Sequence, residues 1–253
     1  MKDQELDLVA LSEAMQQLKA LIDLMTALNE DVVRFKDAVD NTGRRALVRA
    51  VFAYIEGTSF GFRTAAFHLS RMRNVQLDIG EMMMAREITY ALNDKGQVEE
   101  KQALSSPLAN VRFALTLFAK VSGATYEFPA GDSKFEQLRK AQRLRNRLTH
   151  PRSSAELEVT TQEQAVVIQV KEWIDEQQTK VLMAFAFRLH SGLDRTYDKI
   201  KALPRMECGG YSAVAIGNLF AEGLQTSHPI PPERVEEWLA SLLELRKSEP
   251  EGG

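Results

Sequence analysis

Cysteine is nearly missing from this chain: Cys208 is the only one in 253 residues. A single thiol can close no internal disulfide framework and supplies no thiolate zinc site of the usual spacing. Long apolar runs are missing as well. The longest candidate, Val51 to Phe62, is interrupted by Glu56, short of the ~18–20 uncharged residues that a membrane span requires. The opening MKDQELDL puts acids where a secretory signal needs a basic patch followed by an apolar run. Histidines are few and scattered, at His68, His150, His190 and His228, with no His-x3-His pair to hold a metal. The glycines of ECGGYSAVAIGN have neither the lysine nor the preceding strand of a phosphate loop. No alternation of the strand type is sustained, and no internal repeat is visible. The expectation is a cytoplasmic protein in a reducing setting, off the membrane, without metal or cofactor.

What the chain does have is helical periodicity. A hydrophobic fraction of 44% and a charged fraction of 26% are ordinary for a globular protein, and the length allows one large domain with appendages. Leu8, Leu11, Met15, Leu18, Ile22, Met25 and Leu28 recur at three- and four-residue steps, one stripe of a long first helix. A second helix is expected from Thr42–Arg45 to about Arg71. It is apolar around so much of its circumference that it should be central. Further helices are expected over residues 78–93, over 107–122 between Pro107 and Gly123, over 133–149, and from Thr161 to about Leu193. Short helices should follow Gly209–Gly210 and the Pro229–Pro232 cluster, before a disordered tail. The fold class is therefore all-α: an N-terminal helix (1–40), a helical bundle (41–203) and a C-terminal helical appendage (204–253).

Charge is unevenly spread. Residues 1–43 hold nine acids against four bases, residues 44–73 six bases against Glu56, and residues 131–152 seven bases against two acids. Two basic segments in an acidic chain predict a local site for an anion, if folding joins them. The densest part is RLRNRLTHPR, residues 143–152. With Ala141 at zero and ~100° per residue, Phe135, Leu138, Leu144 and Leu148 form one apolar face centred near 25°. Arg139, Arg143 and Arg147 fall on the opposite side, as a solvated or phosphate-facing stripe. Arg145 falls at about 40°, within the apolar stripe. A guanidinium directed there is costly unless paired, and Glu56, one turn from both Phe52 and Phe60, is the expected partner. His150 precedes Pro151 and should lie accessible at the helix end, suited to acid–base work or to plain capping.

The run Arg145-Asn146-Arg147-Leu148-Thr149-His150 resembles the Arg-(four to six residues)-His motif of HEPN proteins, in the form Arg-Asn-three residues-His. RALVRAVFAYIEG, residues 45–57, is similar to the early HEPN helix with its acidic residue. The resemblance spans residues 40–195 and leaves the first helix and the appendage unaccounted for. It implies a helical bundle and a metal-independent endoribonuclease of the toxin–antitoxin or antiviral defence kind, acting as a homodimer on RNA, with an antitoxin or regulatory protein as a further partner. Arg145, Asn146 and His150 would be catalytic, Arg139, Arg143, Arg147 and Arg152 would bind substrate, and Glu56 would support Arg145. The chain departs from HEPN toxins silenced by nucleotidylation, which carry a tyrosine two residues after the histidine, where Arg152 stands here. Two other readings compete. One is an inert HEPN-like dimer that binds RNA, nucleotide or protein. The other is an interaction protein whose first helix pairs with another chain.

The remaining chemistry-bearing residues have bland explanations. His68 reads as a hydrogen-bonded core or interface histidine, and His190 and Arg188 as helix-terminating residues. His228 reads as a turn residue, and Met82, Met83 and Met84 as core filling. Trp173 and Trp238 read as core or docking residues, and Phe62 as packing.

Overall fold

The computed structural model describes residues 8–202, except 93, 96, 103–105 and 132. The expected C-terminal appendage, with Cys208, His228 and Trp238, lies outside the described residues, as does the side chain of His190. The element order is α1 (Leu8–Phe35), α2 (Asn41–Met72), α3 (Ile79–Ala85), β1 (Ile88–Leu92), β2 (Val98–Gln102), α4 (Pro107–Ser122), α5 (Ser133–Thr149), a 3-10 turn (Ala155–Leu157) and α6 (Thr161–Ala202). The class is all-α, a helical bundle with one two-stranded hairpin attached. Among the described residues no helix is long and apolar enough to cross a membrane.

The helix ends carry the signals that the sequence offers. Asp40 accepts from Gly43 N at the start of α2, and Ser106 accepts from Ala109 N ahead of Pro107 in α4. Gly123 closes α4 with φ 65°, a left-handed conformation that glycine adopts without steric cost. Thr160 and Glu163 cap α6 reciprocally: Glu163 N donates to Thr160 Oγ1, and Thr160 N donates to Glu163 Oε2.

As its all-round apolarity requires, α2 is central and packs against α1, α3, α4, α5 and α6. Phe62, fully buried, meets Phe118 of α4 edge to face at 5.2 Å between ring centroids. α1 runs antiparallel to α2. Leu28 lies over Gly57 and Leu21 over Gly61, so close that a Cβ added to either glycine would stand 2.6 or 2.8 Å from a leucine methyl. This contact also turns α1 away from the orientation its periodicity suggests. Ala10, Ala14, Leu21 and Val32 face α2 and are buried, while Met15 and Ile22, members of the expected stripe, remain 55% exposed. The leucines of α1 seat over the two glycines of α2, and Met15 and Ile22, rotated off that line, stay on the flank.

One expected helix is corrected. Residues 78–93 are helical only over Ile79–Ala85, where Asp78 and Glu81 form a capping box. Glu87 then takes φ 54°, a left-handed turn that ends the helix. The β-branched and aromatic run Ile88-Thr89-Tyr90 continues as β1, paired antiparallel with Val98–Gln102. The partner strand VEEKQ has no apolar alternation, so nothing local announced the pairing.

Candidate functional site

On α5 the apolar face is the one the projection gave: Phe135, Leu138, Ala141, Leu144 and Leu148 are all buried. Arg145 leaves this face at its rim and reaches α2, where its Nη2 donates to Glu56 Oε1 at 2.9 Å. The expected pair therefore forms, but not in the core. The two side chains keep 34% and 40% exposure, because the helices diverge there around a groove of ≈ 400 Å³. Phe52 and Leu148 give the groove apolar walls, small Ala53 leaves it open, and Arg49 lines it beside Arg145.

Asn146 and His150 lie at the exposed end of the same helix. Arg145 Nη1 makes only a long contact to Asn146 Oδ1, at 3.4 Å. His150 N donates to Asn146 O at 3.1 Å, which keeps the backbone helical up to the residue before Pro151. The imidazole is exposed and makes no hydrogen bond to a described residue. The loop that follows is firmly held all the same. Asn41 donates to Leu157 O and accepts from Val159 N, and Arg44 donates to Val159 O. Gln164 of α6 donates to Lys36 O and Ala38 O, tying the same region to the α1–α2 connection.

The arginines expected to bind substrate divide by what they touch. Arg147 donates to Glu158 O at 2.7 Å and to Glu163 Oε1 at 3.0 Å, so it joins α5 to the capping box of α6. Arg139 is engaged by Glu136 at 2.7 Å and stands over the Phe135 ring at 5.1 Å. Arg152, exposed in the loop, is held through its backbone N–H, which donates to Glu156. Arg143 is exposed and meets no acid among the described residues.

The two basic segments meet only in part. Arg44 and Arg49 are at the α5 end of α2, whereas Arg63, Arg71 and Arg73 lie toward its other end and are used there. Arg63 is buried against Glu87 and Asn110, Arg71 pairs with Glu13, and Arg73 donates to Val121 O. Arg49 was missed as an individual site residue. The available signal was its position two turns before Glu56, on the same face of α2. The acidic first helix does not cover the groove, whose lining comes from α2 and α5.

Elsewhere the bland readings of His68 and Trp173 agree with the contacts. His68 Nδ1 lies 3.3 Å from Glu13 Oε2, and Trp173 is 1% exposed in the core. Met82, expected in the core, is instead 39% exposed on the short α3. Compared with protein-family models, with curated proteins and with solved structures, the chain matches none.

Proposed function

We propose that this chain is a HEPN-type, metal-independent endoribonuclease that acts in the cytoplasm as a homodimer, in the manner of a toxin or defence effector under the restraint of a partner protein. The observation that carries this reading is Arg145. It is held by Glu56 at an open groove, with Asn146 beside it and the uncommitted imidazole of His150 just beyond. A guanidinium has five donors, and one contact to Glu56 leaves others for a phosphate.

The chemistry balances without a metal. The ribose 2′-hydroxyl attacks phosphorus, the 2′-oxygen–phosphorus bond forms and the bond to the 5′-oxygen breaks. Products are a 2′,3′-cyclic phosphate and a 5′-hydroxyl. His150 takes the 2′ proton or delivers one to the leaving oxygen, as a ring nitrogen that can act as general base or general acid. Arg145 offsets the charge that builds on the phosphorane oxygens. Asn146 orients the histidine or the strand. About the α5 axis, Arg145 and His150 stand ~140° apart. One copy therefore does not aim both at a single phosphate, which favours two copies facing each other.

A second reading also has an observation behind it. Arg145 is already neutralised by Glu56, as it would be in an inert HEPN-like module that only binds RNA, nucleotide or protein. Cleavage of RNA in EDTA by wild type, Arg145→Ala and His150→Ala separates the two. Loss of cleavage in both variants, with unchanged thermal unfolding, supports the nuclease. Equal cleavage by all three removes the catalytic assignment.

A further inference from the structure

A second groove, of ≈ 360 Å³, runs on the other side of α5, against the first turns of α6. Its floor is Ala141, Leu144 and Val166, and its rim carries Lys140, Arg143 and Arg147. Glu163 is the only acid in the lining and is already joined to Arg147 at 3.0 Å. Lys140 and Arg143 are exposed, and among the described residues neither has an acidic partner. On a helix where Arg139, Arg145 and Arg147 are each engaged by a glutamate, these two cations are left over.

Their placement is directional. Lys140, Arg143, Asn146 and His150 follow each other along the outer face of α5, within ~120° of one another and over about 15 Å of axis. That is a track, longer than a single phosphate group. A free inorganic anion would need a cup, whereas a nucleic-acid strand needs this: a groove with cations spaced along it.

We propose that the α5–α6 groove holds the phosphodiester backbone of the RNA strand flanking the scissile linkage, with Lys140 and Arg143 as its phosphate contacts. The identity of the strand rests on the ribonuclease reading. The groove lies on the His150 side of α5, away from Arg145, so it supplies substrate affinity and register. Arg139 and Arg147, engaged elsewhere, add little to either.

The test is fluorescence anisotropy with a labelled single-stranded RNA, 2′-O-methylated throughout and hence uncleavable by attack of its own hydroxyl, titrated across a range of salt. Wild type is expected to bind it, and Lys140→Gln/Arg143→Gln to bind at least ~10-fold more weakly. Two phosphate contacts on a single strand lower the magnitude of the log–log salt slope by about 1.4. Lys140→Arg/Arg143→Lys keeps both charges and is expected to retain wild-type affinity, which separates charge from folding. Wild-type affinity and slope in the double glutamine variant would overturn the proposal, and so would no RNA binding by wild type. If binding depends on Lys140 and Arg143 but no RNA is cleaved in EDTA, the groove stands and the nuclease reading falls.

Discussion

Two arginine–glutamate pairs hang from α2, one through Arg63 and one through Glu56 two turns before it, and they behave as opposites. Arg63 is 1% exposed and donates to Glu87 and, at 3.0 Å, to Asn110. Arg145 reaches α2 from α5 and meets Glu56 with a third of its own surface still in water. The chemistry of the pair is the same and the surroundings decide its use. In the first, charge is enclosed by α2, α4 and the turn before β1, so the pair fixes where the hairpin leaves the bundle. In the second, water and an open groove adjoin the guanidinium, so another anion can approach without any core being opened. A buried pair is a constraint on structure, and a rim pair is an available charge.

The largest effect should come from breaking the enclosed pair. Arg63→Met is expected to cost about 3 kcal/mol, near the lower end for losing one partner of a buried pair, because Glu87 keeps 26% exposure. For a chain of this size that lowers the melting temperature by about 6–12 °C in a calorimetric scan. A variant melting within a degree of wild type would erase the contrast between the two pairs.

Next comes the polar layer inside the bundle. Tyr54 OH donates to Gln178 Oε1 at 2.9 Å, and Gln178 Nε2 donates to Thr58 Oγ1 at 2.7 Å. Tyr54→Phe leaves Gln178 with an unmet acceptor and should cost about 2 kcal/mol near pH 7. Burial, then the nearby Asp175 charge, push the Tyr54 hydroxyl well above its ordinary range. A group raised in the folded state contributes stability below its unfolded value of about 10, and that contribution is lost as pH rises beyond it. Chemical denaturation from pH 8 to 11 should therefore show wild type losing stability faster than Tyr54→Phe, with the gap between them closing. A gap that widens with pH would contradict the sign.

Arg147→Gln should fall lower still. It removes the contacts to Glu163 and Glu158 O, for about 1 kcal/mol, and should speed amide exchange at the start of α6. Its RNA salt slope should stay at the wild-type value, unlike that of Lys140→Gln/Arg143→Gln. A slope change in Arg147→Gln equal to that of the double variant would return this arginine to the substrate-binding set.

These contrasts separate what local sequence could reveal from what it could not. The bounds of α4 and α5 were legible because Pro107, Gly123 and the helix stop before Pro151 are chemical punctuation. Arg145 was legible because a charge on an apolar stripe has few solutions, and Glu56 was the carboxylate with the matching problem. The fates of Arg139, Arg143 and Arg147 were not legible. All three project to one side of α5, and only the arrival of the α6 cap beside Arg147 distinguishes it from Arg143. The hairpin was hidden for a similar reason. Glu87 turns the chain in a left-handed conformation, and its partner Arg63 lies 24 residues earlier, in α2. The outward roll of Met15 and Ile22 depended on two glycines in α2 that the α1 pattern does not contain.

The smallest thermodynamic effect belongs to the rim pair and is the most telling. A double-mutant cycle over Arg145→Met and Glu56→Gln should give a coupling within about 1 kcal/mol, as for other half-exposed pairs. On the proposed function, the two variants then part company in catalysis. Arg145→Met removes the phosphate contact and should abolish cleavage at unchanged melting temperature. Glu56→Gln leaves Arg145 charged but releases it from a competing carboxylate. KM for RNA should fall, because phosphate no longer shares the guanidinium with a nearby carboxylate charge, while kcat falls as well, because the guanidinium loses the contact that aims it. A Glu56→Gln enzyme with KM and kcat both unchanged would mean that the pair neither positions Arg145 nor competes with substrate. Arg145 would then join Arg63 as a residue of structure alone.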